Sequence, residues 1–143
     1  MIEMDAELAL AELNAIVARA ALPGPVFEAI GISEVDGIRS RIQQTKVNPW
    51  GGDWSPWAEF TRLEREKKGN TGQGLLWDSG DLLDSIHFAI TGDSLDIGSN
   101  MDYARDLQEG TDIMPSRPFL GWADYSLPFY EQLWINYLQT GMP

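Results

Sequence analysis

The residue types that most often carry out chemistry are scarce in this sequence. Its 143 residues include one histidine, His87, and no cysteine, which excludes a thiol nucleophile, a zinc finger and a disulfide framework. His87 could act as a general base beside a serine and an aspartate, as in a small hydrolase. We favour the simpler interpretation, in which His87 is a polar residue on a half-exposed strand.

Two further patterns suggest ligand sites only superficially. Asp78, Asp81 and Asp84 recur at every third position, but calcium-binding loops use alternating ligands, a central glycine and a distal glutamate. Asp78 or Ser79 is more simply the N-cap of a short helical turn. The glycine-rich stretch 69–74 lacks the Gly-Lys-Ser/Thr ending of a phosphate-binding loop. The sequence therefore indicates no catalytic residue, no metal and no cofactor.

Tryptophan is concentrated in one short segment. Trp50, Trp54 and Trp57 lie within eight residues among prolines and glycines, and no helical or strand period fits them. We predict a loop whose indole rings enter the core or anchor a protein interface. Stacking on sugars, as in a carbohydrate-binding module, is the alternative. We also predict that the segment from Trp50 to Lys68 supplies one side of a protein contact, with the bases Arg62, Arg65, Lys67 and Lys68.

Acidic residues dominate the charge. Twenty-two Asp and Glu oppose ten Lys and Arg, so the formal net charge is −12, and after residue 72 only Arg105 and Arg117 are basic. Such a chain is a poor candidate for gripping duplex DNA, where affinity comes from bases that neutralise phosphates. No apolar run approaches the roughly 18 residues that span a bilayer. The start, Met1–Asp5, is acidic where a signal peptide is basic.

Hydrophobic periodicity predicts the elements that position these residues. Apolar residues recur at helical spacing over 5–21, 33–45 and 126–140, and a short helix is predicted over 102–109. Leu75–Trp77 is a candidate strand.

The strongest local signal is a β-hairpin over 85–98. Its two-residue turn, Gly92-Asp93, brings Ile90 opposite Leu95, which agrees with the alternation of apolar residues. We therefore expect an α+β fold, in which a small, mainly antiparallel sheet centred on the hairpin packs against the helices 5–21 and 126–140. The length favours one domain, with a helical N-terminal region over 1–45, a Trp-rich and basic loop over 46–74, and an α+β core over 75–143.

Five segments, taken in order, resemble the motifs of a known family. Trp54-Ser55-Pro56 is similar to its W-x-P loop, and Leu75–Ile86 is similar to its iL-x-x-tG-x-L-x-x-Si signature. Ile97–Ala104 resembles its vGs…YA element, Leu107–Thr111 its hq-x-G-t segment, and Arg117–Gly121 its RPFLG box. The family is the phage virion morphogenesis, or tail completion, family of tailed bacteriophages, which includes the Mu G-type protein.

The resemblance implies a structural virion protein without catalytic activity, assembled in the host cytoplasm and located at the head–tail junction or the upper end of the tail. It implies a ring of copies of this chain, expected to be a hexamer, that contacts head–tail connector and tail tube or sheath proteins. DNA would pass through the ring without specific binding. A negative channel wall repels phosphates, so we expect channel-facing acids among Asp93, Asp96, Asp102, Asp106 and Asp112.

Overall fold

The computed structural model describes residues 5–143; the acidic start over residues 1–4 lies outside the described residues. This portion of the chain forms six α-helices and one two-stranded antiparallel sheet. The elements are α1 (Ala6–Ala20), α2 (Gly24–Ser40), α3 (Glu59–Lys68), α4 (Asp81–Ser85), β1 (Ile86–Thr91), β2 (Ser94–Ser99), α5 (Ala104–Glu109) and α6 (Leu127–Thr140). The predicted α+β fold class is confirmed.

The two N-terminal helices meet at a proline-glycine corner. The Asp5 carboxylate caps α1 by accepting hydrogen bonds from the backbone amides of Glu7 and Leu8 at 3.0 and 3.2 Å, as its position predicts. The sequence predicts that the next helix begins near Ser33, but α2 begins at Gly24. Proline is tolerated in the first turn of a helix, so the same prolines that end α1 also allow α2 to start at once.

The end of α2 is not regular α-helix. Arg41–Thr45 forms one π-helical turn, in which the Lys46 amide donates to the Arg41 carbonyl at 2.7 Å. Lys46 then adopts a left-handed backbone conformation with φ 57°. The turn buries Arg41 and Ile42 on the side facing the core.

The hairpin forms in the predicted register, with Ile90 opposite Leu95 and Phe88 opposite Ile97. Its main support is α2 and not the predicted helix 5–21, because α1 packs on α6 instead. Gly31 makes the close approach of α2 possible, since a Cβ at this position would lie 2.5 Å from the Phe88 ring. The prediction of the packing partner for the sheet is therefore wrong for the N-terminal helix.

Three local predictions in the middle of the chain are also wrong. The stretch 46–74 is not all loop, because α3 occupies 59–68. The candidate strand at 75–77 is a turn. The N-cap of α4 is Gly80 and not Asp78 or Ser79.

The two C-terminal helices agree better with their predictions. α5 covers 104–109 of the predicted helix 102–109 and has Tyr103 at its N-cap position. α6 agrees with the predicted helix 126–140 to within one residue and ends at Gly141, which has the left-handed φ of 84° that favours glycine.

The buried side chains form two clusters. The larger one joins α2, the tryptophan segment, α4, β1 and the extended 117–120 segment around Ile38, Ile42, Trp54 and Phe119. The second joins α2 to α6 through Val26, Ile30, Tyr130 and Tyr137. No residue of α1 is buried.

Over the described residues, no single helix is long and apolar enough to cross a membrane, although α1 and the bent continuation through α2 meet that test of length and composition together.

Candidate interaction surfaces

A buried charge network fixes α2 against α6. Arg41 Nη2 lies 2.9 Å from Glu34 Oε1, and both side chains are 4% exposed. The Tyr130 hydroxyl donates to Glu34 Oε2 at 2.5 Å. Burial, together with the adjacent Glu34 carboxylate, raises the pKa of Tyr130 to about 12. Burial lowers the pKa of Arg41, but its hydrogen bonds to Glu34 and to the Tyr125 hydroxyl outweigh that effect, and the net direction is upward.

The W-x-P loop and the RPFLG box are bonded to each other. Arg117 donates from Nε to the Ser55 carbonyl at 2.7 Å and from Nη2 to the Pro56 carbonyl at 2.6 Å. In return, Trp54 Nε1 donates to the Pro118 carbonyl at 2.7 Å. Burial lowers the pKa of Arg117. These three bonds hold the tryptophan segment to a strand-like segment more than sixty residues away in sequence.

Gln108 of α5 fixes the other side of that segment. Its Oε1 accepts from the backbone amides of Phe119 and Leu120 at 3.0 Å, and its Nε2 donates to the Leu120 carbonyl at 2.9 Å. The single side chain thus satisfies three backbone groups that would otherwise need a neighbouring strand. The hq-x-G-t element and the RPFLG box are therefore parts of one structure.

The remaining motif residues also meet. Ser85 Oγ and Ser99 Oγ are 2.6 Å apart, which joins the end of α4 to the end of β2. Arg65 lies over the Trp57 ring, 4.5 Å from its centroid, and donates to the Trp77 carbonyl at 2.7 Å. We find that the segments carrying the family resemblance form a scaffold, held mostly by side chains that bond backbone carbonyls.

The predicted contact residues between Trp50 and Lys68 divide into two groups. Trp54 is 5% exposed and Trp57 is half-buried, and both indole N–H groups donate to backbone carbonyls. Arg65 is buried as well. Trp54 and Trp57 agree with the interpretation that the indoles enter the core, and Arg65 is buried beside Trp57. Of the three tryptophans in the segment, Trp50 has an exposed ring, with 60% of the residue exposed.

The exposed bases of α3 are paired within the chain. Arg62 bonds both Glu59 and Glu66, and Lys67 bonds Glu64 at 2.7 Å. Lys68 lies 3.8 Å from Asp78. Exposed pairs of this kind exchange partners at little cost, so these bases remain accessible to another protein.

The five acids expected to face a channel are all exposed: Asp93, Asp96, Asp102, Asp106 and Asp112. Asp93 lies in the hairpin turn and Asp96 on the outer face of β2, while Asp102 and Asp106 lie before and within α5. Within residues 5–143, none of the five belongs to an ion pair. Their charge is therefore not neutralised by the chain itself.

The environment of His87 is polar and open. Its Nδ1 lies 2.8 Å from the Ser85 carbonyl, and the ring shares a shallow pocket with Asp81 and Asp84. Across residues 5–143, no serine hydroxyl or carboxylate hydrogen-bonds the ring, and no cluster of three or more His, Asp or Glu has the arrangement of a metal site.

Two exposed apolar surfaces are not recognisable as such from the sequence. The α1 stripe consists of Leu10, Leu13 and Val17, which are 59%, 58% and 66% exposed. The α3 patch consists of Phe60 and Leu63, which are 74% and 42% exposed. The amphipathic pattern of α1 is visible in the sequence, but the pattern alone predicts that its apolar side faces the core.

Comparison with known proteins agrees with the motifs. The model of the phage virion morphogenesis family matches residues 4–139. No curated protein and no solved structure matches the chain. The family match covers nearly the whole sequence and includes every segment that forms the scaffold. The chain therefore belongs to the phage virion morphogenesis family.

Proposed function

We propose that this protein is a structural subunit of the virion, which assembles into a ring of six copies that closes the tail and helps to join it to the head. The observation that carries the proposal is the exposed apolar surface on helices outside a complete core. Leu10, Leu13 and Val17 are each more than half exposed, although α2 and α6 bury Val26, Ile30, Tyr130 and Tyr137 in a shared cluster. Large exposed apolar patches mark interaction sites.

The positions of these surfaces support a ring. The α1 stripe and the α3 patch belong to different helices, so a contact between them joins unlike surfaces of two copies. Contacts of this head-to-tail kind close into a ring when the rotation between copies allows it. The tail tube or sheath below and the head–tail connector above are the proposed neighbours.

The acidic surplus supports the position on the DNA path. Unpaired carboxylates such as Asp96 and Asp106 on a channel wall repel phosphates and prevent DNA from binding to the ring. In the assembled ring we expect Asp93, Asp96, Asp102, Asp106 and Asp112 to face the lumen. A structure of the ring with a neutral or basic lumen would contradict this aspect of the proposal.

Deletion of the gene from a phage genome tests the function directly. We expect DNA-filled heads and separate tails in electron micrographs of the lysate, and joined particles when the protein is supplied from a plasmid. Virions from the complemented lysate should contain the protein in a small fixed number of copies. Normal joined particles from the deletion phage would refute the proposed role.

A further inference from the structure

The attachment of α1 to the rest of the molecule leaves its most apolar side uncovered. α1 packs on α6, and Arg19 near its C-terminal end donates to the carbonyls of Leu138 and Gln139 at 2.6 and 2.8 Å. The α1 stripe lies away from this contact, on the side where the side chains are more than half exposed. A 15-residue helix is marginal in water without such packing, so covering the stripe stabilises it.

The charges beside the stripe decide what kind of surface covers it. Asp5 and Glu7 stand at the N-terminal end of α1, and no base of α1 is free there, because Arg19 is at the opposite end. Two stripes packed on each other would offer these carboxylates no accessible base, because Arg19, the only base of α1, is bonded to carbonyls of α6. A surface that combines apolar side chains with accessible bases fits better.

The α3 patch has that composition. Phe60, Leu63 and Lys67 follow at spacings of three and four and share one face, because Arg65 occupies the buried side. The last turn of α3 carries Lys67 and Lys68, whose side chains are 73% and 60% exposed. α3 is thus an exposed helix that presents apolar residues beside two accessible lysines.

The two surfaces also match in length and direction. Leu10 to Val17 and Phe60 to Lys67 each span eight residues, and the ends of each span are about 10 Å apart along the helix. An antiparallel arrangement places the acidic start of α1 beside the basic end of α3. In this arrangement the positive N-terminal end of each helix dipole lies beside the negative C-terminal end of the other.

We propose that the α1 stripe of one subunit docks antiparallel on the α3 patch of the next copy of this chain, with Glu7 beside Lys67. This inference rests on the proposed ring, for which it names the two surfaces that join neighbouring subunits. Lys67 exchanges its exposed partner Glu64 for Glu7 of the neighbour. Because the two surfaces are different, every subunit uses its α1 stripe to contact one neighbour and its α3 patch to contact the other. The same contact therefore repeats around the ring.

Cysteine cross-linking tests the pairing, because the chain has no cysteine of its own. Leu13→Cys and Phe60→Cys are introduced into separately tagged full-length chains, which are mixed and oxidised. We expect a disulfide between the two different variants and little between identical ones. A dominant Leu13→Cys homodimer would overturn the proposal in favour of a symmetric contact.

Charge reversal provides the second test, read by native mass spectrometry and sedimentation. Glu7→Lys and Lys67→Glu should each weaken assembly about tenfold, and the double variant should restore it to within about threefold. Ile113→Glu is the matched control for an added charge, because Ile113 is 97% exposed and lies on neither surface. Its assembly should equal that of the wild type.

The outcomes separate this inference from the proposed function. If the wild type assembles into rings but the mixed Leu13→Cys and Phe60→Cys variants form no disulfide, the contact is refuted and the ring is left intact. A wild type that stays at 16.0 kDa at high concentration refutes both. If the α1 stripe binds neutral phospholipid vesicles while assembly is unchanged by Leu13→Glu, a membrane and not a second copy covers it.

Discussion

The buried ion pair between Glu34 and Arg41 should be far more important for stability than an exposed pair of the same length. Both it and the Arg105–Glu109 pair have an N–O distance of 2.9 Å, but the side chains are 4% exposed in the first and 60–80% exposed in the second. Removing one partner of a buried pair leaves the other charge without compensation and costs about 3–5 kcal/mol. We therefore expect Glu34→Gln to destabilise the protein by about that amount.

Urea unfolding measures the effect. With a denaturant slope of about 2 kcal/mol per molar, the loss lowers the unfolding midpoint by about 2 M, a large fraction of a typical domain stability of roughly 5–15 kcal/mol. The fluorescence of the six tryptophans, among them Trp54 in the larger buried cluster, reports unfolding. Glu109→Gln is the matched control, and its midpoint should not move measurably. Equal midpoints for the two variants would refute the reasoning.

Replacing the whole network distinguishes an uncompensated charge from lost packing. The triple variant Glu34→Leu, Arg41→Met and Tyr130→Phe keeps similar volumes and leaves no buried charge. We expect its midpoint to lie above that of Glu34→Gln, because apolar replacement of a complete buried pair is often neutral or stabilising. A triple variant whose loss equals the sum of three single losses would show that the residues act independently.

Three further predictions concern single positions. Arg117→Lys keeps the charge but loses the pair of hydrogen bonds to the tryptophan segment, so the free energy of unfolding measured in urea should fall by about 2 kcal/mol. An unchanged midpoint would show that these hydrogen bonds do not hold the two segments together. Gly31→Ala forces the added Cβ against the Phe88 ring and should lower the melting temperature, while Gly37→Ala, which meets only a side-chain nitrogen at 3.6 Å, should raise it; the opposite order would contradict the close packing. Folded Tyr130 keeps its proton up to about pH 12, whereas an unfolded tyrosine loses it near pH 10. The contribution of Tyr130 to the free energy of unfolding is therefore fully present below pH 10 and is lost between about pH 10 and 12. Tyr130→Phe should flatten this region of the stability–pH curve, and an unchanged slope would assign the loss to other groups.

The elements with local signals are predictable from the sequence. The hairpin register follows from a two-residue turn and an alternating pattern, which both act within fourteen residues. α1 and α6 have periodic apolar positions at the predicted places, and Asp5 caps α1 while Gly141 follows the end of α6. The start of α2 escapes prediction because Gly24 and Pro25 indicate a break, although proline also fits the first turn of a new helix.

Packing partners are less accessible to sequence reasoning. The amphipathic side of α1 predicts burial in the same chain, but α2 occupies that place beside β1, and nothing local to α1 encodes this. In the candidate site, the motifs correctly indicate the family, yet the role of Arg117 as a clamp depends on carbonyls 61 and 62 residues away. One signal is present: Arg117 is one of only two bases after residue 72.

A hydrogen bond joins α1 and α6, the first and last helices of the described structure, so α1 can dock only after the end of the chain has been synthesised. Arg19 on α1 is held by the Leu138 carbonyl, 119 residues later in the chain. At 5–20 residues per second, a ribosome takes roughly 6–24 s to cover that distance, and α1 has no docking site on its own chain during this time. A polypeptide truncated before α6 lacks the carbonyls that Arg19 bonds. If α1 joins neighbouring subunits as proposed, only a chain completed through α6 presents the α1 stripe in a fixed position.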